Sequence, residues 1–236
     1  IAAEPSAGGP VEALAICFLY SFLAPDHERQ VLERARARFP SLAIVASYEV
    51  HPEFREYERL STTVANAYLA PRMSAYVRAF RRRVEELGIP ALPYINQSNG
   101  GTMSVEEAAR VPVRTALSGP SAGVAGAAWI AAQTGFDAIA TFDMGGTSTD
   151  VAFVHGGTPG LAFEREIGGV MLRVPTLDIH TVGAGGGSIA WRDSGGALKV
   201  GPQSAGADPG PDCYGRGGRV PTVTDANLML GRLGTA

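Results

Sequence analysis

Residues 141–154 read TFDMGGTSTDVAFV, and this stretch decides how the fold of the rest of the chain is interpreted. The segments 138–142 and 151–154 are rich in residues that favour strands, and a turn containing Gly145 and Gly146 joins them. Two such strands around a glycine turn predict a β-hairpin. Both glycines can adopt positive φ and leave amide N–H groups free to point outward.

The turn also carries hydroxyl and carboxylate groups. Asp143 closes the first strand and Asp150 opens the second. Carboxylates that flank amides and hydroxyls suit a polyphosphate bound with Mg²⁺, because the backbone holds phosphate oxygens while the carboxylates hold the metal or its waters. We therefore predict Asp143 and Asp150 as metal ligands. The residues predicted to bind the phosphate-containing cofactor are Gly145, Gly146, Thr147, Ser148 and Thr149.

An ordinary glycine hairpin is the alternative interpretation of this turn. A GGT sequence alone would fit a hairpin held by Asx and Ser/Thr turn bonds. The full DxGGTxTD pattern between two apolar strands favours phosphate binding instead. The stretch is not a Walker A loop, because it lacks the G-x-x-x-x-G-K-[ST] pattern and the chain's single lysine, Lys199, lies far away in sequence.

The composition argues against several classes of protein. The chain has 236 residues and a net charge of −3, which is enough for one large or two small domains. No stretch approaches the roughly 20 apolar residues of a membrane helix, and no signal peptide is visible. The near-neutral charge argues against nucleic-acid and membrane partners. Cys17 and Cys213 alone cannot form a disulfide framework or a zinc site. Because the chain begins with Ile1, we expect a fragment.

The two halves of the chain differ in glycine content. Residues 1–118 hold 5 of the 30 glycines and residues 119–236 hold 25, so we expect ordinary helices first and short strands with tight turns later. Apolar runs at 13–22 and 42–47 predict buried strands, with a helix between them for which Asp26 is the expected N-cap. This strand–helix–strand order is typical of α/β proteins.

Residues 53–88 form the longest predicted helix. Pro71 lies in the middle and is expected to break or kink it. The basic run 81–83 is interpreted as a solvated surface, because adjacent helical positions point in different directions. The apolar positions recur every three or four residues. They are Tyr57, Leu60, Val64, Tyr68, Met73, Val77, Phe80, Val84 and Leu87.

Shorter elements connect this helix to the hairpin. A strand at 92–95 leads into a polar turn at 96–101, and Ser104 with Glu107 predicts a capping box that starts a short helix. A helix is also predicted over 118–133, and its small residues would let it lie close to a neighbour. Its Ser-Gly-Pro start could equally hold an anion, so both interpretations stay open.

A second candidate site lies at 177–188. Asp178 and His180 would share one side of a strand, where they could bind a metal or act as an acid–base pair. A lone Asp-x-His is more often a hydrogen-bonded structural pair, and both interpretations stay open. The glycines match G-x-G-x-x-G poorly, which argues against a Rossmann fold. We predict catalytic roles for the pair and cofactor contacts for Gly185, Gly186 and Gly187.

The last part of the chain carries a Pro/Gly loop at 206–215. Cys213 has no identifiable histidine partner, so a nucleophilic role is not expected. A packed loop near the site is the favoured interpretation. Thr224 and Asp225 are expected to cap a final helix through Leu230.

Residues 142–151 (FDMGGTSTDV) resemble the second phosphate hairpin of the ATPase superfamily that contains actin, sugar kinases and heat-shock chaperones. Further motifs narrow the resemblance to the hydantoinase A / 5-oxoprolinase family. They are REYERLSTTVANAY at 55–68, SNGG at 98–101, LSGPSAG at 117–123, LDIHTVGAGGGS at 177–188, GPQSAGADPGPDCYG at 201–215 and TVTDANL at 222–228. The resemblance covers nearly the whole chain, and ordered motifs are more specific than one glycine loop.

The resemblance implies an α/β fold of the ribonuclease-H-like type, incomplete in this chain. It implies an ATP-dependent, cytoplasmic hydrolase subunit that uses Mg²⁺ and opens a cyclic amide, such as a hydantoin or 5-oxoproline, by phosphoryl activation of the amide. A B-type subunit or domain would be its partner. By position, Asp143 would act in catalysis by handling Mg²⁺ or the attacking group, and Asp150 would hold the metal or the turn. The phosphates would contact Gly145, Gly146 and Thr147.

Two segments that the resemblance leads us to expect are not found in this sequence. No other D-x-GGT hairpin precedes Asp143, and nothing after Asp150 fits an FGGAGP-like adenosine segment. We therefore expect little or no turnover by this chain alone. The expected organisation is the end of a first lobe at 1–50, a helical connection at 51–90, and a second lobe with the phosphate hairpin at 91–236.

Two other functions are kept as alternatives. Relatives in the same family serve as nucleotide-binding subunits of ATP-dependent acetone or acetophenone carboxylases, which share these motifs. A sugar-kinase-like sensor that binds a ligand without turnover is the non-enzymatic alternative. That alternative predicts a DNA-binding segment, and none is visible in the sequence.

Overall fold

The computed structural model describes residues 10–234, which form a mixture of α-helices and short β-strands. The helices are α1 (Asp26–Arg38), α2 (Ser47–Val50), α3 (Glu56–Glu86), α4 (Val105–Arg110), α5 (Ser118–Thr134) and α6 (Val223–Met229). The strands are β1 (Ala13–Ile16), β2 (Ala43–Ala46), β3 (Tyr94–Asn96), β4 (Thr102–Ser104), β5 (Ile139–Met144), β6 (Thr149–His155), β7 (Thr158–Pro159), β8 (Leu161–Ala162), β9 (Arg165–Ile167), β10 (Val170–Leu172), β11 (Thr176–Leu177), β12 (Ile179–Val182), β13 (Ser188–Arg192) and β14 (Leu198–Ser204). The predicted α/β class is confirmed. No helix within 10–234 is long and apolar enough to cross a membrane.

The chain divides into two compact units. The first comprises residues up to Ala122 together with Leu161–Leu177, and the second comprises Gly123–Gly160 and the residues from Asp178 onward. The predicted organisation into a first lobe, a helical connection and a second lobe, with boundaries near residues 50 and 90, stays a prediction. Residues 1–9 of the predicted first lobe lie outside the described residues.

The first unit opens with the predicted strand–helix–strand element. β1 and β2 pair in parallel, and α1 connects them. Leu32 of α1 is fully buried against Ile16 and Ile44, so the helix covers one face of the strand pair. The element holds together as expected, because a parallel pair needs a crossover and the helix supplies both crossover and cover.

Two details at the start of this element differ from the prediction. The strand is shorter than 13–22, because the chain turns after Ile16 and the amides of Leu23 and Ala24 both donate to the Tyr20 carbonyl. Asp26 is not the N-cap, since Pro25 occupies that position. The Asp26 carboxylate instead accepts a 2.8 Å hydrogen bond from Arg29 in the first turn.

The long helix α3 runs without a break through Pro71. The helix is therefore not broken at Pro71, and a kink at this position stays a prediction. The run Arg81, Arg82 and Arg83 is exposed and forms ion pairs with glutamates, including a 2.7 Å pair between Arg81 and Glu106. The solvated interpretation of this run is confirmed.

Among the apolar positions predicted over 53–88, Val77 is buried and the others are partly or fully exposed. Tyr57 and Tyr68 are exposed, at 74% and 66%. The residues that the helix buries are Arg59, Thr62, Thr63, Asn66, Ala67, Ala70 and Val77. Most of these side chains are polar because they satisfy neighbouring backbone groups. Asn66, for example, donates to the Arg110 carbonyl and accepts from the Val113 amide, each at 3.1 Å.

Arg59 and Glu28 form the centre of a buried polar network in the first unit. Both side chains are fully buried. Glu28 accepts a 2.8 Å hydrogen bond from the Ser47 hydroxyl, which in turn accepts a 3.1 Å bond from Arg59 Nε. Arg59 also donates to the carbonyls of Glu53 and Phe18, at 2.9 and 2.7 Å. Removing Arg59 takes the positive charge out of the network and removes a donor from each of the two carbonyls, whereas Glu28 keeps its hydrogen bond from Ser47.

Arg59→Met should therefore destabilise the protein by about 3–5 kcal/mol, the usual cost of breaking a buried charged network from one side. Thermal and urea unfolding of the full-length protein would measure the change. Arg78→Met on the same helix is the matched control, because Arg78 is exposed. An equal effect of the two substitutions would contradict the structural role of the network.

The remaining elements of the first unit follow the predicted order, but the predicted capping box at Ser104 is only half formed. β3 and β4 pair as a hairpin around the polar turn. The Ser104 hydroxyl accepts a 3.1 Å bond from the Glu107 amide, which starts α4. The Glu107 carboxylate binds Arg110 at 2.7 Å instead of returning to the cap. The hydrogen bond and the charge of Arg110 lower the pKa of Glu107.

Helix α5 confirms the predicted span and its end, because Gly135 follows it with φ of +82°. The expected close approach at its small residues is not seen within residues 10–234. A Cβ added to Gly123 or Gly126 would meet no atom within 4 Å.

The second unit is built on a sheet in which β6 lies between β5 and β12. Its alternating residues Ala152, Val154 and Ile179 are buried and lie on one face, as the register of the three strands requires. β13 and β14 form a separate antiparallel pair. α6 begins with a capping box between Thr222 and Asp225, so the cap is Thr222 and not the predicted Thr224.

Candidate functional site

The predicted hairpin is formed by β5 and β6, which leave residues 145–148 as the connecting loop. Asp143 lies directly opposite Asp150 in this register. Facing residues on neighbouring strands have Cβ atoms about 4.5–5.5 Å apart, so both carboxylates lie at the loop end of one sheet face. A 2.9 Å bond from the Gly145 amide to the Ser148 carbonyl closes the loop. The first three loop residues are exposed, which leaves the loop open to a ligand.

Hydrogen bonds give this loop a bonded side and an open side. The carbonyls of Gly145 and Gly146 accept bonds of 2.9 and 2.7 Å from the amides of Gly186 and Gly187. Across the described part of the chain, no acceptor is recorded for the amides of Gly146 and Thr147. The loop therefore directs its oxygens towards the glycine segment and leaves two N–H donors for an anion.

The glycine segment packs against the loop so closely that no side chain fits. A Cβ on Gly185 would lie 2.7 Å from three backbone atoms of the loop, and a Cβ on Gly187 would lie 2.9 Å from a fourth. A Cβ on Gly186 would lie 2.7 Å from the Thr224 hydroxyl, which donates to the Gly186 carbonyl at 2.8 Å. The three predicted cofactor-binding glycines thus form a wall that fixes the position of the loop.

The two carboxylates differ in their surroundings. Asp150 accepts a 2.6 Å hydrogen bond from the Thr181 hydroxyl on β12. Asp143 is exposed at the end of β5. Within residues 10–234 no group of three or more acidic, histidine or cysteine side chains could hold a metal by itself. A pair of carboxylates nevertheless fits Mg²⁺, which binds through one or two carboxylates together with phosphate oxygens and water.

The hydroxyl residues of the hairpin take different positions. Thr147 lines an open cleft next to the loop. Thr149 is buried, and its hydroxyl donates a 2.5 Å bond to the Ala184 carbonyl. This bond ties the base of the hairpin to the glycine segment.

Asp178 and His180 do not join the carboxylate pair. His180 lies opposite Val151 in the register, whereas Thr181 lies opposite Asp150. Successive residues of a strand point to opposite faces, so His180 lies on the other face of the sheet from Asp150. Asp178 lies outside the strand, between β11 and β12. Their catalytic roles stay predictions, and the structure separates them from the phosphate loop.

A cleft of about 280 Å³ lies beside the loop in the second unit. Its lining residues are Gly146, Thr147, Gly187, Gly206, Ala207, Pro211, Tyr214, Arg216 and Thr224. Arg216 is the charged residue among them, and its guanidinium lies 5.9 Å from the centre of the Tyr214 ring. The sequence reasoning did not identify Arg216. Arg216 lies in a GRGG sequence at 215–218, at the end of the Pro/Gly loop. No known motif fixes the number of residues between that sequence and the hairpin.

Asp225 anchors the loop that forms the far side of this cleft. Its carboxylate accepts 2.8 Å bonds from the amides of Cys213 and Thr222. Burial raises the pKa of Asp225. The hydrogen bonds from the amides and side chains of Cys213 and Thr222 have the larger, opposite effect and lower the pKa to about 2. The hydrogen bond to Asp225, and to a smaller extent burial, raise the pKa of the Cys213 thiol above its usual value. A thiol held in the protonated form is a poor nucleophile, as the sequence indicated.

Cys213 should therefore react with iodoacetamide more slowly at pH 8.5 than a cysteine in an unstructured peptide, because less of it is thiolate. Asp225→Asn removes the neighbouring charge and should increase the rate severalfold. The measurement needs a Cys17→Ser background, and Asp208→Asn in the same loop is the control. A Cys213 rate equal to that of the peptide would show that Asp225 does not hold the thiol proton.

Comparisons with known proteins show the family of this chain. The family model described as hydantoinase/oxoprolinase matches residues 59–236. The caprolactamase subunit alpha of Pseudomonas jessenii is 43% identical over 223 residues, covering 94% of this chain and 32% of that protein. The 5-oxoprolinase of Saccharomyces cerevisiae is 40% identical over 229 residues, covering 94% of this chain and 17% of that protein.

Two solved structures are also similar. The crystal structure of the ATP-dependent caprolactamase from Pseudomonas jessenii matches with a TM-score of 0.78 and 40% identity, over 95% of this chain and 33% of that one. A nucleotide-free acetone carboxylase, an enzyme of ATP-dependent acetone carboxylation, matches with a TM-score of 0.70 and 30% identity, over 94% of this chain and 32% of that one. The chain thus spans about a third or less of these proteins. The family model covers most of the chain, which belongs to the hydantoinase/oxoprolinase family.

Proposed function

We propose that this chain is the phosphate-binding part of an ATP-dependent hydrolase subunit that opens a cyclic amide of the hydantoin or 5-oxoproline type. The observation that carries the proposal is the hairpin loop, whose Gly146 and Thr147 amides have no recorded acceptor among the described residues. The paired carboxylates Asp143 and Asp150 beside these amides support it further. We also propose that the two units belong to a ribonuclease-H-like ATPase of the actin and sugar-kinase type.

The residues present fit a polyphosphate with Mg²⁺. The two open amides would hold phosphate oxygens, and Thr147 would add its hydroxyl. Asp143 and Asp150 would hold the metal or its waters, because Mg²⁺ keeps several water ligands and takes few carboxylates. Asp150 is oriented for this by its bond from Thr181. When bound, the metal supplies charge neutralisation for the transferring phosphoryl group.

Phosphoryl transfer solves the chemical difficulty of a ring amide. The amide carbon is a poor electrophile because the nitrogen donates electrons to the carbonyl. Transfer of the terminal phosphoryl group of ATP to the amide oxygen releases ADP and gives an imidate phosphate, whose carbon is electrophilic. Addition of one water to this carbon, followed by cleavage of the C–N bond with a proton passing to the leaving nitrogen, opens the ring and leaves an acyl phosphate. A second water then cleaves the acyl phosphate to a carboxylate and phosphate. Asp143, which is exposed at the end of β5 beside the loop, would orient the first step.

An ATP-dependent ketone carboxylase is the second candidate. The similarity to acetone carboxylase supports it, and so does 37% identity to the acetophenone carboxylase gamma subunit of Aromatoleum aromaticum. The same phosphate site would serve both reactions, because each begins by activating an oxygen with ATP. The names of these relatives as subunits support a B-type partner subunit for this chain, and we propose a cytoplasmic enzyme.

An assay of the full-length protein with its partner subunit tests the proposal. ATP hydrolysis would be measured with hydantoin, with 5-oxoproline, and with acetone plus bicarbonate. Stimulation by a cyclic amide is the expected result. Stimulation by acetone and bicarbonate alone would favour the carboxylase. If the protein binds nucleotide but none of these compounds stimulates ATP hydrolysis, both enzyme functions are contradicted and the ligand-sensing function is favoured.

A further inference from the structure

The cleft beside the hairpin loop has one uncompensated positive charge. A polyphosphate carries several negative charges, and the hairpin supplies amides and carboxylates but no cationic side chain. The single lysine of the chain, Lys199, is not among the residues that line the cleft. Arg216 is, and no ion pair is recorded for it within residues 10–234.

The backbone on both sides of Arg216 favours glycine. Gly215 and Gly217 on either side have φ of +66° and +97°, which favours glycine at both positions. A Cβ on Gly218 would collide with the Gly210 carbonyl and lie 2.9 Å from the Pro211 carbonyl carbon. The segment that carries Arg216 is thus packed directly against another part of the cleft wall.

The Arg216 side chain contacts Tyr214, and the loop that carries both residues is hydrogen-bonded to α6. The guanidinium lies 5.9 Å from the centre of the Tyr214 ring, and Tyr214 itself lines the cleft. The Cys213 amide donates to Asp225, which ties this loop to α6. The exposed guanidinium of Arg216 therefore lies within cation–π distance of a tyrosine on a loop that is tied to α6, and it stays accessible to a ligand in the cleft.

We infer that Arg216 is the cation that recognises the phosphates in this cleft, which Gly146 and Thr147 also line. This inference rests on the proposed function and adds to it a residue that replaces the phosphate-binding lysine of Walker A loops. A guanidinium offers two parallel N–H donors to one phosphate group, which gives direction as well as charge. The ligand class is a di- or triphosphate, and the base and sugar contribute nothing to this contact.

Calorimetric titration of the full-length protein tests the inference without relying on turnover. The probes are ATP with Mg²⁺ and inorganic tripolyphosphate with Mg²⁺. Arg216→Gln should weaken binding of both probes by about 10-fold to 100-fold, the range of a charge-assisted hydrogen bond. Arg216→Lys should recover part of the affinity. Arg219→Gln is the matched control, because Arg219 is exposed in the same stretch and does not line the cleft.

The salt dependence of binding separates a direct contact from a structural role. Arg216→Gln should make the affinity for tripolyphosphate less sensitive to added salt, because one screened charge pair is lost. Thermal unfolding should be unchanged. If Arg216→Gln binds each probe with the same affinity as the wild-type protein, the inference is overturned and the proposed function is left intact. Wild-type protein that binds neither probe would overturn both.

Discussion

Asp143→Asn will reduce ATP turnover by the full-length protein by at least about 100-fold, the usual effect of removing one charge that acts on a transferring group. The substitution keeps the size of the side chain and removes only its charge. Asp143 is exposed, so the variant should unfold at the wild-type temperature. Steady-state ATP hydrolysis with and without substrate, together with thermal unfolding, measures both expectations.

A matched control for this variant is available on the same side of the hairpin. Asp137 is also exposed and lies just before the other end of β5. Asp137→Asn should leave turnover within about twofold of wild type, because surface substitutions away from a site have small effects. Near-normal turnover by Asp143→Asn would remove this carboxylate from the mechanism.

Gly185→Ala should have the second large effect, on the shape of the loop. The added Cβ would lie 2.7 Å from the carbonyl oxygen of Gly145, the carbonyl carbon of Thr147 and the amide nitrogen of Ser148. These are backbone atoms, so the loop itself must move. We expect a loss of about 1–3 kcal/mol in unfolding free energy, the usual cost of overpacking. We also expect the affinity for ATP to fall by at least about 10-fold, measured by calorimetry.

Gly183→Ala controls for the chemistry of the substitution. Gly183 lies in the same glycine segment, and an added Cβ there would meet no atom within 4 Å among the described residues. Neither glycine has positive φ, so the two substitutions differ in steric contact and not in backbone strain. Equal ATP affinities in the two variants would show that the glycine wall does not position the loop.

Local patterns predicted the elements whose causes are local. The hairpin around Gly145 and Gly146, the parallel strand pair and the start of α5 all follow from turn residues and apolar runs. The buried face of α3 could not be predicted in this way. Periodicity assumes that apolar side chains face the core, whereas Asn66 faces inward because it completes the hydrogen bonds of distant backbone groups. Such long-range partners are not visible in the helix sequence.

The site was predicted where it is one continuous motif and missed where it is assembled from separate segments. Asp143 and Asp150 were recognised together because the hairpin register follows from the sequence. Arg216 lines the cleft beside the loop from a segment far along the chain, and no spacing rule connects it to the hairpin. Asp178 and His180 were grouped with the site by their proximity in sequence to the glycines. The alternation of β12 places His180 on the opposite sheet face.

Hydrogen exchange of the loop amides is the most direct test of the central claim that they bind phosphate. The full-length protein would be labelled with deuterium, with and without ATP and Mg²⁺, and read by mass spectrometry with fragmentation to single residues. The amides of Gly146 and Thr147 should exchange quickly without nucleotide and slow by at least about 10-fold with it, while the Gly156 amide at the far end of β6 stays unchanged. Unchanged exchange at Gly146 and Thr147, under conditions where calorimetry shows ATP bound, would contradict the account.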